Sequence, residues 1–197
     1  MIIGRGPKIF TDDVVDQLLA CHGRIREFSS LASRIAREVE APLADVSSAA
    51  ARVDKYFSEA LPLHKLDEEL SLAPRLRGQT SIVDAALEQM CVEHHEHEAL
   101  LASLVEHCRT LVLAPHELNK RAHDLARVGQ AIQVAFDTHL AAEESKIFPQ
   151  VRALPADVQR IIREEMRARR TGLFGVLQKE TPQSFTALQV VRPSENP

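Results

Sequence analysis

Apolar residues recur at the spacing of an α-helix along four long stretches of this sequence, and this periodicity constrains the fold more than any other feature. The stretches cover residues 14–39, 53–61, 87–108 and 125–147. A face that repeats about every 3.6 residues is buried against neighbouring helices. Because no strand pattern of any length precedes residue 171 and the connections are short, the sequence predicts an all-α, up-down-up-down four-helix bundle.

Proline residues divide the chain. Pro62 is expected to kink the second helix, Pro74 to lie in the loop after it, and Pro149 to end the fourth helix. A shorter fifth helix follows and ends at about residue 170. The predicted metal-binding domain is therefore a bundle over residues 11–170, and residues 171–197 form an irregular C-terminal tail without a helical period.

Charge and composition argue against several classes of partner. The net charge is -4 with both signs interspersed, which gives no reason to expect nucleic acid or an acidic membrane. No apolar stretch reaches the length of a transmembrane helix, and the first ten residues are too broken for a signal peptide. Three cysteines without CxxC spacing suggest free thiols, so we expect a cytoplasmic protein, with its oligomeric state left open.

Each long helix carries a histidine on its apolar line, and three of these histidines are followed one turn later by a glutamate. The residues are His22, His64 with Glu68, His94 with Glu98, and His139 with Glu143. HxxxE spacing places both side chains on one helix face, where both can reach one metal cluster. Imidazole and carboxylate together suit iron, manganese or zinc, and a carboxylate can bridge two metals.

The histidines also fall at matching depths in an antiparallel bundle. His22 and His64 lie 18 and 19 residues from the turn between their helices, which is roughly 27–29 Å along each axis. His94 and His139 lie 18 and 22 residues from theirs, which is roughly 27 and 33 Å. All four histidines can therefore lie in one layer.

A lone histidine on an apolar face is more often a hydrogen-bonded core residue than a metal ligand, and a single HxxxE is usually a solvated pair. Here the pattern recurs on facing helices, and several buried histidines and carboxylates without metal would leave uncompensated charge in the core. The recurrence favours a joint metal site. His97 leans inward as a weaker candidate ligand, whereas His95 and the second glutamates, Glu69 and Glu144, are expected to be solvated.

Four segments resemble the hemerythrin-like HHE cation-binding family: LLACHGRIREFSSLASRIA, LPLHKLDEEL, EHHEHEALLASL and FDTHLAAEESKIFP. The last is the most specific, because HxxxEE is followed by an apolar residue, Phe148 and Pro149. The resemblance covers about residues 11–170 and implies a four-helix bundle with a non-haem di-iron centre. It implies that His22, His64, His94 and His139 are terminal ligands and that Glu68 and Glu143 bridge the metals.

The third helix departs from the pattern of the oxygen carriers in this family. Those proteins have two histidines one turn apart there, whereas the residues one turn either side of His94 are Met90 and Glu98. This difference argues against reversible oxygen transport. Glu98 is expected to be either an extra ligand or a partner that orients an imidazole.

These observations lead to three hypotheses about function. The first is a redox-active protein with two oxo- or carboxylate-bridged irons that binds oxygen, nitric oxide or peroxide for sensing or detoxification. Catalase- or peroxidase-like activity is its enzymatic form, and no separate catalytic residue is predicted. The second is a non-catalytic protein for iron storage or sensing. The third is a structural zinc-binding bundle, and manganese is a further alternative to iron.

Overall fold

Four long helices and one shorter helix form the part of the chain that the computed structural model describes, residues 13–171. They are α1 (Val14–Ile35), α2 (residues 43–76), α3 (Ser81–Leu113), α4 (residues 118–153) and α5 (Ala156–Arg170). No strand occurs in residues 13–171, and the predicted all-α bundle with a short fifth helix is confirmed. Apart from Thr171, the predicted tail lies outside the described residues. No helix within 13–171 is long and apolar enough to cross a membrane.

The first and third helices begin at side chains that cap them. The Asp13 carboxylate accepts a hydrogen bond from the backbone N–H of Asp16 at 3.0 Å. The Thr80 hydroxyl likewise accepts one from Val83 at 3.2 Å. Both bonds satisfy backbone donors that an α-helix leaves free at its first turn. Between α2 and α3 the chain turns at Gly78, whose φ of 80° suits a residue without a Cβ.

Two of the long helices contain π-helical turns, and a proline follows each one. The turns are Tyr56–Ala60 and Asp67–Leu72 in α2, and Glu143–Ile147 in α4. Pro62, Pro74 and Pro149 each lie two residues beyond a turn. Proline has no N–H and its ring crowds the carbonyl one turn back, so a widened turn lets the helix continue. The expectations that Pro74 lies in a loop and Pro149 ends the fourth helix are therefore wrong, since α2 and α4 continue to Leu76 and Ala153.

Contacts between neighbouring helices show that they run antiparallel. From α2 to α3 the pairs are Asp54–Arg109, Lys65–Glu98 and Glu69–His94. From α1 to α4 they are Asp16–Arg152 and Arg26–Asp137. In both sets the residue number rises on one helix as it falls on the other. From α1 to α2 the pairs Glu27–Arg52 and Cys21–Tyr56 follow the same rule, so the bundle is up-down-up-down.

The hydrophobic core is split in two by a layer of polar side chains. One apolar cluster contains Ile25, Phe57, Leu104 and Ile132, and the other contains Leu18, Leu72, Leu87 and Ile147. On α1, α2 and α3, the histidines and glutamates named above fall between the residues of the two clusters. On α4, His139 and Glu143 lie between Phe136 of the first cluster and Ile147 of the second. Burial of each large apolar side chain contributes about 1.5–3 kcal/mol. Packing above and below therefore fixes the polar layer in place.

Candidate metal centre

The polar layer consists of six side chains from all four long helices. They are His22 of α1, His64 and Glu68 of α2, His94 of α3, and His139 and Glu143 of α4. All six are buried, and the most exposed of them is His94 at 8%. Both glutamates lie at the beginning of π-helical turns, Asp67–Leu72 and Glu143–Ile147. Such turns are frequent at functional sites.

The four histidines form two pairs, His22 with His64 and His94 with His139. Each carboxylate in the layer presents one oxygen to each pair. Oε1 of Glu68 lies 3.0 Å from Nε2 of His64 and 3.8 Å from Nε2 of His22, while its Oε2 lies 3.4 Å from Nε2 of His94. Glu143 mirrors this arrangement. Its Oε2 lies 3.3 Å from Nε2 of His22, and its Oε1 lies 3.1 Å from Nε2 of His139.

These atoms form two adjoining groups that could each hold a metal ion. One group contains His22, His64, Glu68 and Glu143, and the other contains His94, His139 and Glu143. Within each group the candidate ligand atoms lie within 4.8 Å of one another. Neighbouring ligands around one ion with metal–ligand bonds near 2.1 Å are roughly 3 Å apart, so the spacing fits a metal. Glu143 belongs to both groups, which places the two metal positions side by side.

The polar atoms at the centre of the layer have no hydrogen-bond partner among the described residues. They are Nε2 of His22, Nε2 of His64, and both carboxylate oxygens of Glu68 and Glu143. A buried polar group without a partner costs about 1–3 kcal/mol. Metal ions would satisfy these atoms together. The donor set therefore fits a two-metal centre.

Three carboxylates outside the layer hold its histidines by their other ring nitrogen. Nδ1 of His22 lies 2.8 Å from Glu144, Nδ1 of His94 lies 2.9 Å from Glu69, and Nδ1 of His139 lies 2.7 Å from Glu93. A carboxylate that accepts a hydrogen bond from Nδ1–H fixes the tautomer and leaves Nε2 free for a metal. In each case the carboxylate comes from a neighbouring helix.

The expectation that Glu69 and Glu144 are solvated is therefore wrong, and Glu93 was not predicted at all. Glu69 and Glu144 directly follow Glu68 and Glu143, and Glu93 directly precedes His94. A step of one residue turns a side chain by about 100° around the helix, away from the layer and toward the next helix. The HxxxEE pattern on α2 and α4 is the signal that indicates this second role.

His64 is the exception, since its Nδ1 is buried without a hydrogen-bond partner among the described residues. The Cys21 thiol of α1 contributes to its electrostatics, because contact with that thiol and its charge raise the pKa of His64. Burial raises the pKa of Cys21, but contact with His64 and its charge outweigh burial and leave that pKa lowered. Cys21 precedes His22 just as Glu93 precedes His94. His64 thus has a thiol nearby but, unlike the other three histidines, no carboxylate bonded to its Nδ1 among the described residues.

The carboxylates dominate the electrostatics of the metal-free layer. Burial disfavours a charged imidazole, but the close contacts of Glu143 and Glu68 raise the pKa of His22. For His64, burial is likewise outweighed by the charge of Glu68, and its pKa is raised well above the usual value. Burial is again opposed by contact with Glu143 at His139, whose pKa is raised to about 9. Metal ions must therefore displace protons from these imidazoles when they bind.

Glu98, expected to be a ligand or an orienting partner, lies outside the layer. Its side chain is 56% exposed, and its oxygens lie 2.9 Å from Nζ of Lys65 and 3.3 Å from Nδ1 of His95. Lys65 of α2 therefore draws the carboxylate to the rim of the bundle. The imidazole that it contacts, His95, is itself 84% exposed and is not part of the layer. The orienting role belongs to Glu69, Glu93 and Glu144 instead.

A small cavity of about 30 Å³ adjoins the layer on the side of His64, His94 and His139. Most of its remaining wall is apolar, formed by Ile25, Leu61, Leu101, Phe136 and Leu140, with Lys65 and His97 as its other polar residues. A single water needs roughly 10–15 Å³ of such space. The cavity therefore has room for a molecule of two or three heavy atoms beside the histidines.

Comparison with known proteins gives no function directly. No family model matches the chain, and no solved structure matches it. An uncharacterized protein of Haemophilus influenzae is 29% identical over 170 residues, which cover 81% of this chain and 91% of that protein. The fold and the site define a helical bundle with buried histidine and glutamate groups that could hold metal ions.

Proposed function

We propose that this protein is a hemerythrin-like, non-haem di-iron protein that binds oxygen, nitric oxide or peroxide for sensing or detoxification. The observation that carries the proposal is the arrangement of Glu68 and Glu143, each of which offers one oxygen to each histidine pair. Two carboxylates in this position can bridge two metals. Four-helix bundles that hold such pairs use inward glutamates and histidines in the same way.

The ligand set supports iron above structural zinc. His22 and His64 with two carboxylate oxygens would hold one ion, and His94 and His139 with the other two oxygens would hold the second. Structural zinc sites usually include cysteine among four ligands, whereas the groups here contain only histidine and glutamate. Imidazole and carboxylate ligands suit iron, and a six-coordinate ion held by four protein atoms would keep positions open for a small molecule. A bound iron pair would supply the redox chemistry. The chain would supply the oriented imidazoles and a small, mainly apolar cavity.

Burial supports ligand binding above iron storage. The six side chains of the layer are at most 8% exposed, so metal could exchange only slowly with solvent. The cavity beside the layer is small and mainly apolar, which suits a diatomic molecule or peroxide and excludes larger substrates. We also propose a cytoplasmic location, with neither nucleic acid nor a membrane as partner, as the composition predicts.

Metal analysis joined to optical spectroscopy tests the proposal. Protein produced with sufficient iron should contain two irons per chain, and the oxidised form should show oxo-bridged di-ferric absorption. Chelators should remove the iron slowly. Colourless protein that binds zinc tightly in iron-containing medium, or iron that is lost to a mild chelator at once, would contradict it. A screen with peroxide and nitric oxide would then separate detoxification from sensing.

A further inference from the structure

His97 lies beside the polar layer but is not one of the proposed metal ligands. It lies three residues after His94 on α3, and its ring contacts the rings of His139 and Phe136 edge-on, with centroids 5.4 and 5.2 Å away. It is half-buried. Within residues 13–171 it belongs to neither group of candidate metal-binding atoms.

The cavity connects His97 to the metal positions. His97 lines the same space of about 30 Å³ as His64, His94 and His139. A small molecule that occupied an open position on either metal from this side would fill that space. His97 would then flank the end of the molecule that is not bound to metal.

His97 also has unused hydrogen-bonding capacity. Its Nδ1 is buried and has no hydrogen-bond partner among the described residues. Lys65, which also lines the cavity, has its ammonium held 2.9 Å from Glu98. A neutral imidazole carries one N–H donor and one acceptor nitrogen. A ligand with lone pairs would therefore find a donor at His97 in a wall that is otherwise mostly apolar.

We propose that His97 hydrogen-bonds a metal-bound ligand of two or three atoms in this cavity, and so sets which small molecules the centre retains. The inference rests on the proposed function, since it requires metal in the layer. It assigns His97 a ligand-binding role in place of the metal-binding role that its inward position suggested. Ligands with a lone pair on the terminal atom, such as azide or nitric oxide, are the class that this contact would favour.

The test uses azide as the probe and iron-loaded protein. His97→Phe keeps a ring of similar size but removes both nitrogens. We expect two irons per chain to remain, and the dissociation constant of azide, followed by its iron charge-transfer absorption, to rise roughly threefold to tenfold. The infrared stretching frequency of bound azide should shift as well, because its terminal atom loses a hydrogen bond.

Two further variants separate the hydrogen bond from general damage to α3. His97→Asn places an amide near the position of Nδ1 and should restore most of the azide affinity and the parental stretching frequency. His95→Phe changes a histidine on the same helix whose side chain is 84% exposed and does not line the cavity. It should leave both azide readouts unchanged.

The outcomes distinguish this inference from the proposed function. Loss of iron in His97→Phe would mean that His97 is a ligand, and the inference would be overturned. Full iron content with parental azide affinity and frequency would also overturn it, while the proposed function would stand. A parent protein that cannot hold two metals would refute the proposed function, and this inference would fall with it.

Discussion

Glu68 and Glu69 are neighbours in the chain, as are Glu143 and Glu144, yet the second of each pair faces a different environment. Glu68 and Glu143 have buried oxygens without hydrogen bonds. Glu69 and Glu144 are partly exposed and hold Nδ1 of His94 and His22. One residue along a helix turns the side chain by about 100°. The same amino acid therefore serves as a candidate bridge in one position and as an orienting partner in the next.

This difference predicts two grades of metal loss. Glu68→Gln or Glu143→Gln removes a charged bridge and should lower the content from two metals per chain to one or none. Glu69→Gln or Glu144→Gln should weaken metal binding roughly 10–100-fold while still allowing two metals at saturation. Elemental analysis and competition with a chelator measure both effects. Equal loss in all four variants would show that the bridging assignment is wrong.

Cys21 gives a second prediction at the scale of one residue. Three of the four histidines are held by carboxylates, whereas Nδ1 of His64 is buried without a partner among the described residues. Since Cys21 contributes to the electrostatics of His64, Cys21→Asp should supply the missing carboxylate. We expect the affinity for the metal at His22 and His64 to increase by up to about tenfold. Cys21→Ala is the matched control, and it should not increase affinity. If Asp and Ala behave alike under chelator competition, His64 does not depend on this position.

Periodicity is what made the inner residues predictable. His22, His64, His94 and His139 interrupt apolar lines, so the sequence alone places them at the helix interfaces. The outer carboxylates depend on which helix lies next to which, and that information is not local to any segment. The position of Glu98 also depends on the neighbouring helix. Its spacing from His94 fits a ligand, but Lys65 of the neighbouring helix holds it at the surface.

At the scale of elements, α5 is joined to the helix that carries Glu68 by a buried ion pair. Nη1 of Arg169 lies 2.6 Å from Oδ1 of Asp67, and its Nη2 lies 2.6 Å from the Ser71 hydroxyl. Arg170 reaches the other oxygen of Asp67 at 2.6 Å. Asp67 and Ser71 both belong to the π-helical turn Asp67–Leu72, which also contains Glu68. Through these bonds α5 fixes the turn that positions a candidate bridging carboxylate.

Arg169→Met should therefore destabilise the protein strongly. It leaves the Asp67 carboxylate buried with one partner fewer, and loss of one member of a buried pair costs about 3–5 kcal/mol. The Arg170 side chain is 38% exposed, so water can replace much of what Arg170→Met removes, and its effect should be clearly smaller. Urea unfolding of the metal-free variants, followed by circular dichroism, measures the difference. Equal destabilisation would mean that burial of the Arg169 pair is not the cause.

The prolines show why elements were harder to predict than the site. Locally, Pro74 and Pro149 favour a helix end. In the folded bundle the apolar side chains beyond them, Leu76 and Val151, are fully buried. The free energy of that burial outweighs the cost of one lost backbone hydrogen bond. The π-helical turns before the prolines make room for their rings. Tertiary packing thus overrides a local signal that the sequence states clearly.

At the scale of the whole molecule, the polar layer links stability to pH differently with and without metal. In the metal-free protein the pKa of His139 is raised, by its contacts with Glu143 and Glu93 against the effect of burial, to about 9. A raised pKa means that the folded state binds the proton more tightly than the unfolded state does. This contribution is fully present below the unfolded value of about 6.5 and is lost as the pH rises through 9. The raised pKa values of His22 and His64 act in the same direction.

Metal cancels this dependence, because it binds the deprotonated imidazole and competes with protons below those pKa values. We therefore expect the metal-free protein to lose stability as the pH rises from about 6 to 9, while the stabilisation added by metal grows over the same range. Thermal unfolding of chelator-treated and metal-loaded protein across this range measures both curves. His139→Gln removes one titrating ligand and should flatten the slope of the metal-free curve, whereas the exposed His123→Gln should not. Parallel curves for the two forms of the parent would mean that metal does not bind at these histidines.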